Sequence, residues 1–199
     1  MFIVIEGIDG SGKTTQAKRL GEYLESKTNK EVVITREPAG TALGADIKEL
    51  ILHSQISLKT QMFLMWAARI DHLEQVIVPA LERNAFVVCD RFSPSTFAYQ
   101  GTDELLEPML NTESMVCGVT QPDIYIWLKL EAHELEHRLG RRPNVDSLDS
   151  YALKNHLEVQ KRYETFFLNS TVPTAEIDGA QGEDKVFAQI QEAVDGKLE

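Results

Sequence analysis

Phe2-Ile3-Val4-Ile5-Glu6-Gly7-Ile8-Asp9-Gly10-Ser11-Gly12-Lys13-Thr14-Thr15 is the stretch on which the fold turns. A short β-branched apolar run passes at once into G-x-x-x-x-G-K-T, and residues 14–27 then carry Ala17, Leu20 and Leu24 on one helical face. Strand, glycine-rich turn and helix in that order form the setting in which such a loop cradles phosphate. The glycines let the backbone wrap with its N–H groups turned inward, and the helix adds the positive end of its dipole. Gly7, Ile8, Asp9, Gly10, Ser11, Gly12, Lys13, Thr14 and Thr15 are therefore the expected phosphate-binding residues. Lys13 is placed to reach the β- and γ-phosphates of a nucleotide, and the Thr14 hydroxyl to hold Mg²⁺.

Outward from this loop, strand and helix patterns alternate. Glu31–Thr35, Ala85–Asp90, Pro122–Leu130 and Val172–Ile177 read as further strands. Helical spacing covers 43–52, 59–83 with a kink expected at Pro79, two segments within 93–118, 131–140, 150–168 and the C-terminal stretch around Val186, Ile190 and Val194. The alternation predicts an α/β three-layer fold of the P-loop NTPase kind, a five-stranded parallel sheet flanked by helices. No linker, repeat or low-complexity segment divides the 199 residues, so one domain spanning 1–199 is expected.

The net charge of −11 argues against a nucleic-acid polymer or an anionic membrane as partner, while a small anionic ligand needs only a locally basic pocket. No apolar run approaches the ~18 residues of a membrane span, and no basic-then-apolar leader is read at the start. Cys89 and Cys117 lack C-x-x-C spacing and read as buried thiols of a cytoplasmic protein.

Ligands of such sheets bind beyond the carboxyl ends of the strands. Asp90 ends its strand and is expected to hold Mg²⁺ through water, and Arg91 beside it to clamp a second phosphate with its planar fork of donors. Arg138, Arg141 and Arg142 form a basic cluster in an acidic chain, within a polar segment at about 138–150 that reads as a lid closing over the triphosphate.

With Gly7–Thr15, Thr35–Gly40 (T-R-E-P-A-G), Ala67-Ala68-Arg69, Asp90-Arg91-Phe92, Ser95–Gln100 (S-T-F-A-Y-Q) and Pro122-Asp123 in this order, the chain resembles the thymidylate kinase family. The resemblance implies transfer of the ATP γ-phosphoryl group to dTMP with Mg²⁺, in a homodimer. It places Asp9 near the sugar 3′-hydroxyl and acceptor phosphate, and Arg91 on that phosphate. Arg69, Thr96 and Gln100 fall on the base, Tyr99 against the deoxyribose, and Glu37, with Arg36 beside it, at the nucleotide pocket. Gly10 stands where one subgroup carries an arginine, which aligns the chain with the subgroup whose catalytic arginine comes from the lid. Met65 occupies the place of the phenylalanine usually stacked on thymine, with Trp66 and Phe63 as the neighbouring aromatic alternatives. Lys48 replaces an acceptor-phosphate arginine and keeps the charge without the fork.

Three rival readings stand beside this one. Met65 favours a kinase of broader deoxynucleotide range. A GTP-dependent switch needs N-K-x-D after a late strand, whereas Asn29-Lys30 precedes Glu31-Val32 in an early turn. A binding module without catalysis is opposed by the presence of Lys13, Thr14, Asp90 and Arg91 together.

Overall fold

In the computed structural model, which describes residues 1–139 and 154–198, the opening apolar run forms β1 (Phe2–Glu6). The other strands are β2 (Val32–Arg36), β3 (Phe86–Asp90), β4 (Ile124–Lys129) and β5 (Thr174–Asp178), paired in parallel in the order β2-β3-β1-β4-β5. The five-stranded parallel sheet expected from the alternation is the one observed.

Parallel neighbours need crossovers, and helices supply them. The first is α1 (Lys13–Thr28), followed between β2 and β3 by α2 (Ala42–His53) and α3 (Leu58–His72). Then come α4 (Val78–Glu82), α5 (Ser93–Gln100), α6 (Leu106–Cys117), α7 (Ala132–Leu139), α8 (His156–Asn169) and α9 (Glu183–Leu198). Strand alternation sorts the core into two layers. Ile3 and Ile5 of β1 pack with Leu20, Leu24, Ile190 and Val194 of α1 and α9. Phe2 and Val4 point the other way, into Met62, Trp66, Phe97 and Met109. Among the described residues no helix is long and apolar enough to cross a membrane.

The long helix expected over 59–83 is interrupted earlier than at Pro79. Leu73–Ile77 form a π-helical turn between α3 and α4, with the Val78 N–H donating to Leu73 O. Proline lacks an N–H and its ring crowds the carbonyl four residues back, so widening the preceding turn relieves the conflict without ending the helix.

Neighbouring strands place Ile5 opposite Asp90 and Arg36 opposite Asp90. The ends of β1, β2 and β3 thus bring Glu6, Arg36 and Asp90 to one rim of the sheet, where the site forms.

Candidate active site

The loop after β1 is shaped by close approach. Gly7 sits at φ 145°, and a Cβ there would lie 2.5 Å from Leu128 O and 2.8 Å from Ser11 Oγ, so only glycine passes. The Ile8 side chain is buried among Tyr99, Trp127 and Tyr163, which pins the loop to the core. From the first turn of α1, Lys13 folds back so that Nζ donates to Ile8 O at 2.8 Å and lies 4.0 Å from Asp9. Burial and the nearby Arg91 push the Lys13 ammonium below its usual range, against the pull of Asp9, Asp90 and Glu6. Ser11 Oγ is buried and takes no partner among the described residues. Gly10 and Gly12 both adopt positive φ, and Thr15 is exposed in the first turn of α1.

Of the three arginines assigned to the lid, Arg138 reaches the loop from α7. Its Nη1 donates to Gly10 O at 3.2 Å and its Nη2 to Gly179 O at 2.8 Å, while Glu134 holds Nε at 2.7 Å. Arg141 and Arg142 lie outside the described residues, as does most of the 138–150 segment.

The residues assigned to Mg²⁺ meet. Thr14 Oγ1 donates to Asp90 Oδ2 at 2.5 Å, and Asp90 Oδ1 is buried with no partner among the described residues. An orphaned carboxylate oxygen beside a hydroxyl is a hard-oxygen donor set. It suits an ion that binds through one or two protein oxygens and keeps its waters, and the described residues contain no group of three or more His, Cys, Asp or Glu that would hold a metal by themselves.

From within the loop, Asp9 forms an ion pair with Arg91 at 2.7 Å. Arg91 adopts φ 76°, a left-handed conformation that a non-glycine residue keeps only when its surroundings hold it. The guanidinium is held by Gly7 O at 3.1 Å and Ser95 Oγ at 2.9 Å. Tyr99 completes the group, donating to Asp9 Oδ2 at 3.2 Å. Burial raises the Asp9 carboxyl, but Arg91 and Lys13 outweigh it and hold the group well below the usual carboxylate range. Burial and the same Asp9 push the Tyr99 phenol up.

Beneath this pair lies Glu6, fully buried. Its carboxylate accepts from the Phe92 N–H at 2.7 Å, the Ser95 N–H at 3.3 Å, Ser95 Oγ at 2.8 Å and the Tyr163 hydroxyl at 3.0 Å. Burial raises its pKa, opposed first by Arg91 and then by the Phe92 N–H. Glu6 thereby fastens the start of α5 and the left-handed turn at Arg91 to β1. Neither Glu6 nor Tyr163 was singled out from the sequence. A lone acid closing an apolar strand was the available signal for Glu6; Tyr163 carried none.

At the far end, Arg69 lies in a buried cage. Its Nε and Nη2 donate to Glu37 Oε2 at 2.9 and 2.7 Å, and Nη2 also donates to Thr96 Oγ1 at 3.0 Å. The guanidinium sits 4.4 Å from the Trp66 ring centre and 5.1 Å from that of Phe92. Its Nη1 is buried and has no partner among the described residues. Removing one partner of such a buried ion pair costs about 3–5 kcal/mol, because the other charge is left stranded.

Between these two ends opens a cleft of about 630 Å³ including its mouth. Asp9, Glu37, Lys48, Met65, Arg69, Arg91, Thr96, Tyr99 and Gln100 line it, all of them residues assigned to the acceptor from the sequence. Arg36 does not: strand alternation turns it away from Thr35 and Glu37, and it is exposed at the end of β2. Pro38, Phe92 and Ser95 also line the cleft and were not singled out as ligand contacts. Of the aromatic alternatives to Met65, Trp66 is buried in the core and Phe63 is 52% exposed on the outer face of α3; neither lines the cleft.

Many proteins share a loop of this kind, so kinship rests on the rest of the chain. The family model of thymidylate kinase matches residues 5–190. A thymidylate kinase of Paraburkholderia xenovorans is 36% identical over 198 residues, covering 97% of this chain and 96% of the relative. One of Acinetobacter baumannii is 34% identical over 194 residues, 95% of this chain and 97% of the relative. One of Janthinobacterium is 50% identical over 150 residues, 74% of this chain and 73% of the relative. These matches run through the cleft-forming segments on α2, α3 and α5 as well as the phosphate loop, and the chain belongs to the thymidylate kinase family.

Proposed function

We propose that the chain transfers the γ-phosphoryl group of ATP to dTMP, giving dTDP and ADP, with Mg²⁺ held by Thr14 and, through water, by Asp90. The observation that carries this reading is the single cleft on which nine sequence-assigned acceptor residues converge, opening beside the phosphate loop at the Asp9–Arg91 pair. At neutral pH the acceptor phosphate is already largely dianionic, its second pKa being about 6, so no strong general base is needed. Catalysis is then alignment and charge stabilisation. Lys13 and the loop amides hold the donor phosphates. Arg91, oriented in advance by Asp9, Gly7 and Ser95, receives the acceptor phosphate. Arg138, fastened to the loop at Gly10, brings a further positive charge, and the assignment of Arg141 and Arg142 to the same task rests on the resemblance. Bound Mg²⁺ supplies neutralisation of the β- and γ-phosphate charge.

Within the cleft, the base lies toward Arg69, Thr96 and Gln100, the sugar against Tyr99 and Asp9, and Lys48 adds charge near the acceptor phosphate. Met65 supports a second reading, acceptance of several deoxynucleoside monophosphates, because a flexible thioether packs a base without the shape selectivity of a ring. A coupled ATP-consumption assay with Mg²⁺ over dTMP, dUMP, dCMP, dGMP, dAMP and thymidine separates the two. Strong preference for dTMP is expected; comparable rates on several monophosphates would establish the broader kinase, and no activity on any would overturn the proposal.

We further propose a homodimer formed through the outer face of α3. Phe63, Ala67 and Ile70 recur there at helical spacing, with Phe63 52% and Ile70 39% exposed. The buried free thiols Cys89 and Cys117 suit a reducing compartment, and the cytoplasm is the proposed location.

A further inference from the structure

Glu6 divides its two oxygens between the two ends of one residue, Arg91. Oε1 accepts from the Phe92 N–H at 2.7 Å and the Ser95 N–H at 3.3 Å, and Oε2 accepts from Ser95 Oγ at 2.8 Å and the Tyr163 hydroxyl at 3.0 Å. The first oxygen acts on the backbone. At Arg91, with φ 76°, the N–H donates to Ile5 O at 3.0 Å and the carbonyl accepts from Cys89 Sγ at 3.0 Å, and the next N–H, that of Phe92, is the one Glu6 holds. Both peptides of the left-handed turn are thereby fixed. The second oxygen acts on the side chain. An ionised carboxylate only accepts, so the Ser95 and Tyr163 protons both point at Glu6 and their oxygens turn lone pairs away from it. Arg91 Nη1, which only donates, meets those oxygens at 2.9 Å on Ser95 and 3.4 Å on Tyr163. The ion-pair partner of Arg91 is Asp9, through Nη2, and not Glu6.

We infer that Glu6 is a positioning residue for acceptor binding: it sets the backbone turn and the hydroxyl polarity that aim Arg91, committing Nη1 inward and leaving Nη2 on the cleft side. This rests on the proposed function, because it concerns how Arg91 meets the acceptor phosphate. The Arg91 side chain is 15% exposed, and Nη2 lies at 2.7 Å from Asp9 and 3.5 Å from the Tyr99 hydroxyl, two residues that line the cleft with it. An anion arriving there finds a donor already directed, so little side-chain freedom remains to be lost on binding. Because Glu6 works through two neutral hydroxyls, it orients the guanidinium without taking up the donor that the anion needs. A glutamine of the same shape cannot do this. The Phe92 and Ser95 N–H groups hold its amide oxygen in the place of Oε1, which puts its NH₂, a donor, where Oε2 stood. The two hydroxyls must then accept from it, and their protons turn toward a guanidinium that has only donors to offer.

The test is Glu6→Gln, which keeps the size and the backbone clamp and reverses the polarity. By calorimetry, Kd for dTMP should rise about tenfold, as for loss of a charge-assisted contact. In an Arg91→Met background the same change should alter Kd by about twofold or less, whereas a general loosening of the fold would cost as much without the guanidinium as with it. Ser95→Ala removes the nearer of the two hydroxyls and leaves the carboxylate in place. It repeats the comparison should Glu6→Gln not fold, with a smaller loss that again requires Arg91. A second readout needs no nucleotide: in protein labelled with ¹⁵N-arginine, rotation of the Arg91 guanidinium about Nε–Cζ should be slow in the wild type and faster in either variant. Unchanged Kd, equal losses with and without Arg91, or unchanged guanidinium rotation would overturn the inference. If the wild-type protein binds no dTMP, the proposed function fails, and the rotation measurement alone decides whether Glu6 positions Arg91.

Discussion

Tyr163→Phe removes one hydroxyl from around a buried carboxylate and keeps the ring. The ring is fully buried and lies nearly parallel to Phe167 at 6.0 Å and to Trp127 at 6.2 Å, contacts that phenylalanine keeps. What is lost is the hydroxyl that donates to Glu6 Oε2 at 3.0 Å and lies 3.0 Å from Ser95 Oγ, with longer contacts of 3.4 Å to Arg91 Nη1 and Gly7 O. Glu6 retains the Phe92 and Ser95 N–H donors and Ser95 Oγ, so it is weakened without being abandoned. A hydrogen bond to a charged group contributes about 1.5–3 kcal/mol, which puts the loss near ~2 kcal/mol. For a chain of this size that corresponds to a fall in Tm of about 4–8 °C. Tyr125→Phe is the matched control. Tyr125 is as deeply buried, but among the described residues its hydroxyl hydrogen-bonds only the neutral Ser93 Oγ, at 3.4 Å. Its loss should cost about 0.5–1 kcal/mol, or about 1–4 °C. Urea unfolding at neutral pH, with calorimetry for Tm, measures both. Equal shifts for the two variants would refute the claim that the charge on Glu6 gives the Tyr163 hydroxyl its weight.

Further outcomes follow from the same geometry. Asp9 has its carboxyl held below the ordinary value of 3.8, so the stability it contributes is complete above that value and drains as pH falls through its lower native pKa. Acid unfolding of Asp9→Asn, followed by circular dichroism below about pH 4, should show a shallower loss than wild type; identical profiles would place the acid sensitivity elsewhere. Thr14→Val should raise the Mg²⁺ needed for half-maximal rate by about tenfold or more and weaken binding of Mn²⁺ measured by electron paramagnetic resonance. Lys13→Ala should lower phosphoryl transfer by about 10²–10³-fold with the far-ultraviolet spectrum unchanged, and near-normal turnover would remove the loop from the mechanism. Phe63→Glu should convert a dimer to monomer in sedimentation velocity, whereas a wild-type protein already monomeric at micromolar concentration would exclude the proposed interface.

What contiguous backbone can carry was readable from the residues alone. Gly7–Thr15 declares its chemistry in nine residues because the loop's own amides, one lysine and one hydroxyl form the binding surface. The central strands β1, β3 and β4 were legible because buried parallel strands are short apolar runs, and Asp90-Arg91 was legible because an acid ends β3 and an arginine follows it at once. Tertiary structure decided which charges are free and which are held. Glu37 reads from the chain as a residue facing ligand, yet both of its oxygens are engaged, by Arg69 and His72, from an element more than thirty residues away. Arg36 and Glu37 are adjacent in sequence, but the pleat sends one to solvent and the other to the cleft wall. Glu6 and Tyr163 stand 157 residues apart, and only the packing of α8 against α5 and the end of β1 brings hydroxyl and carboxylate together. No local pattern encodes such a pairing, since each residue type is satisfied as well by water until folding removes the water and leaves a single partner within reach.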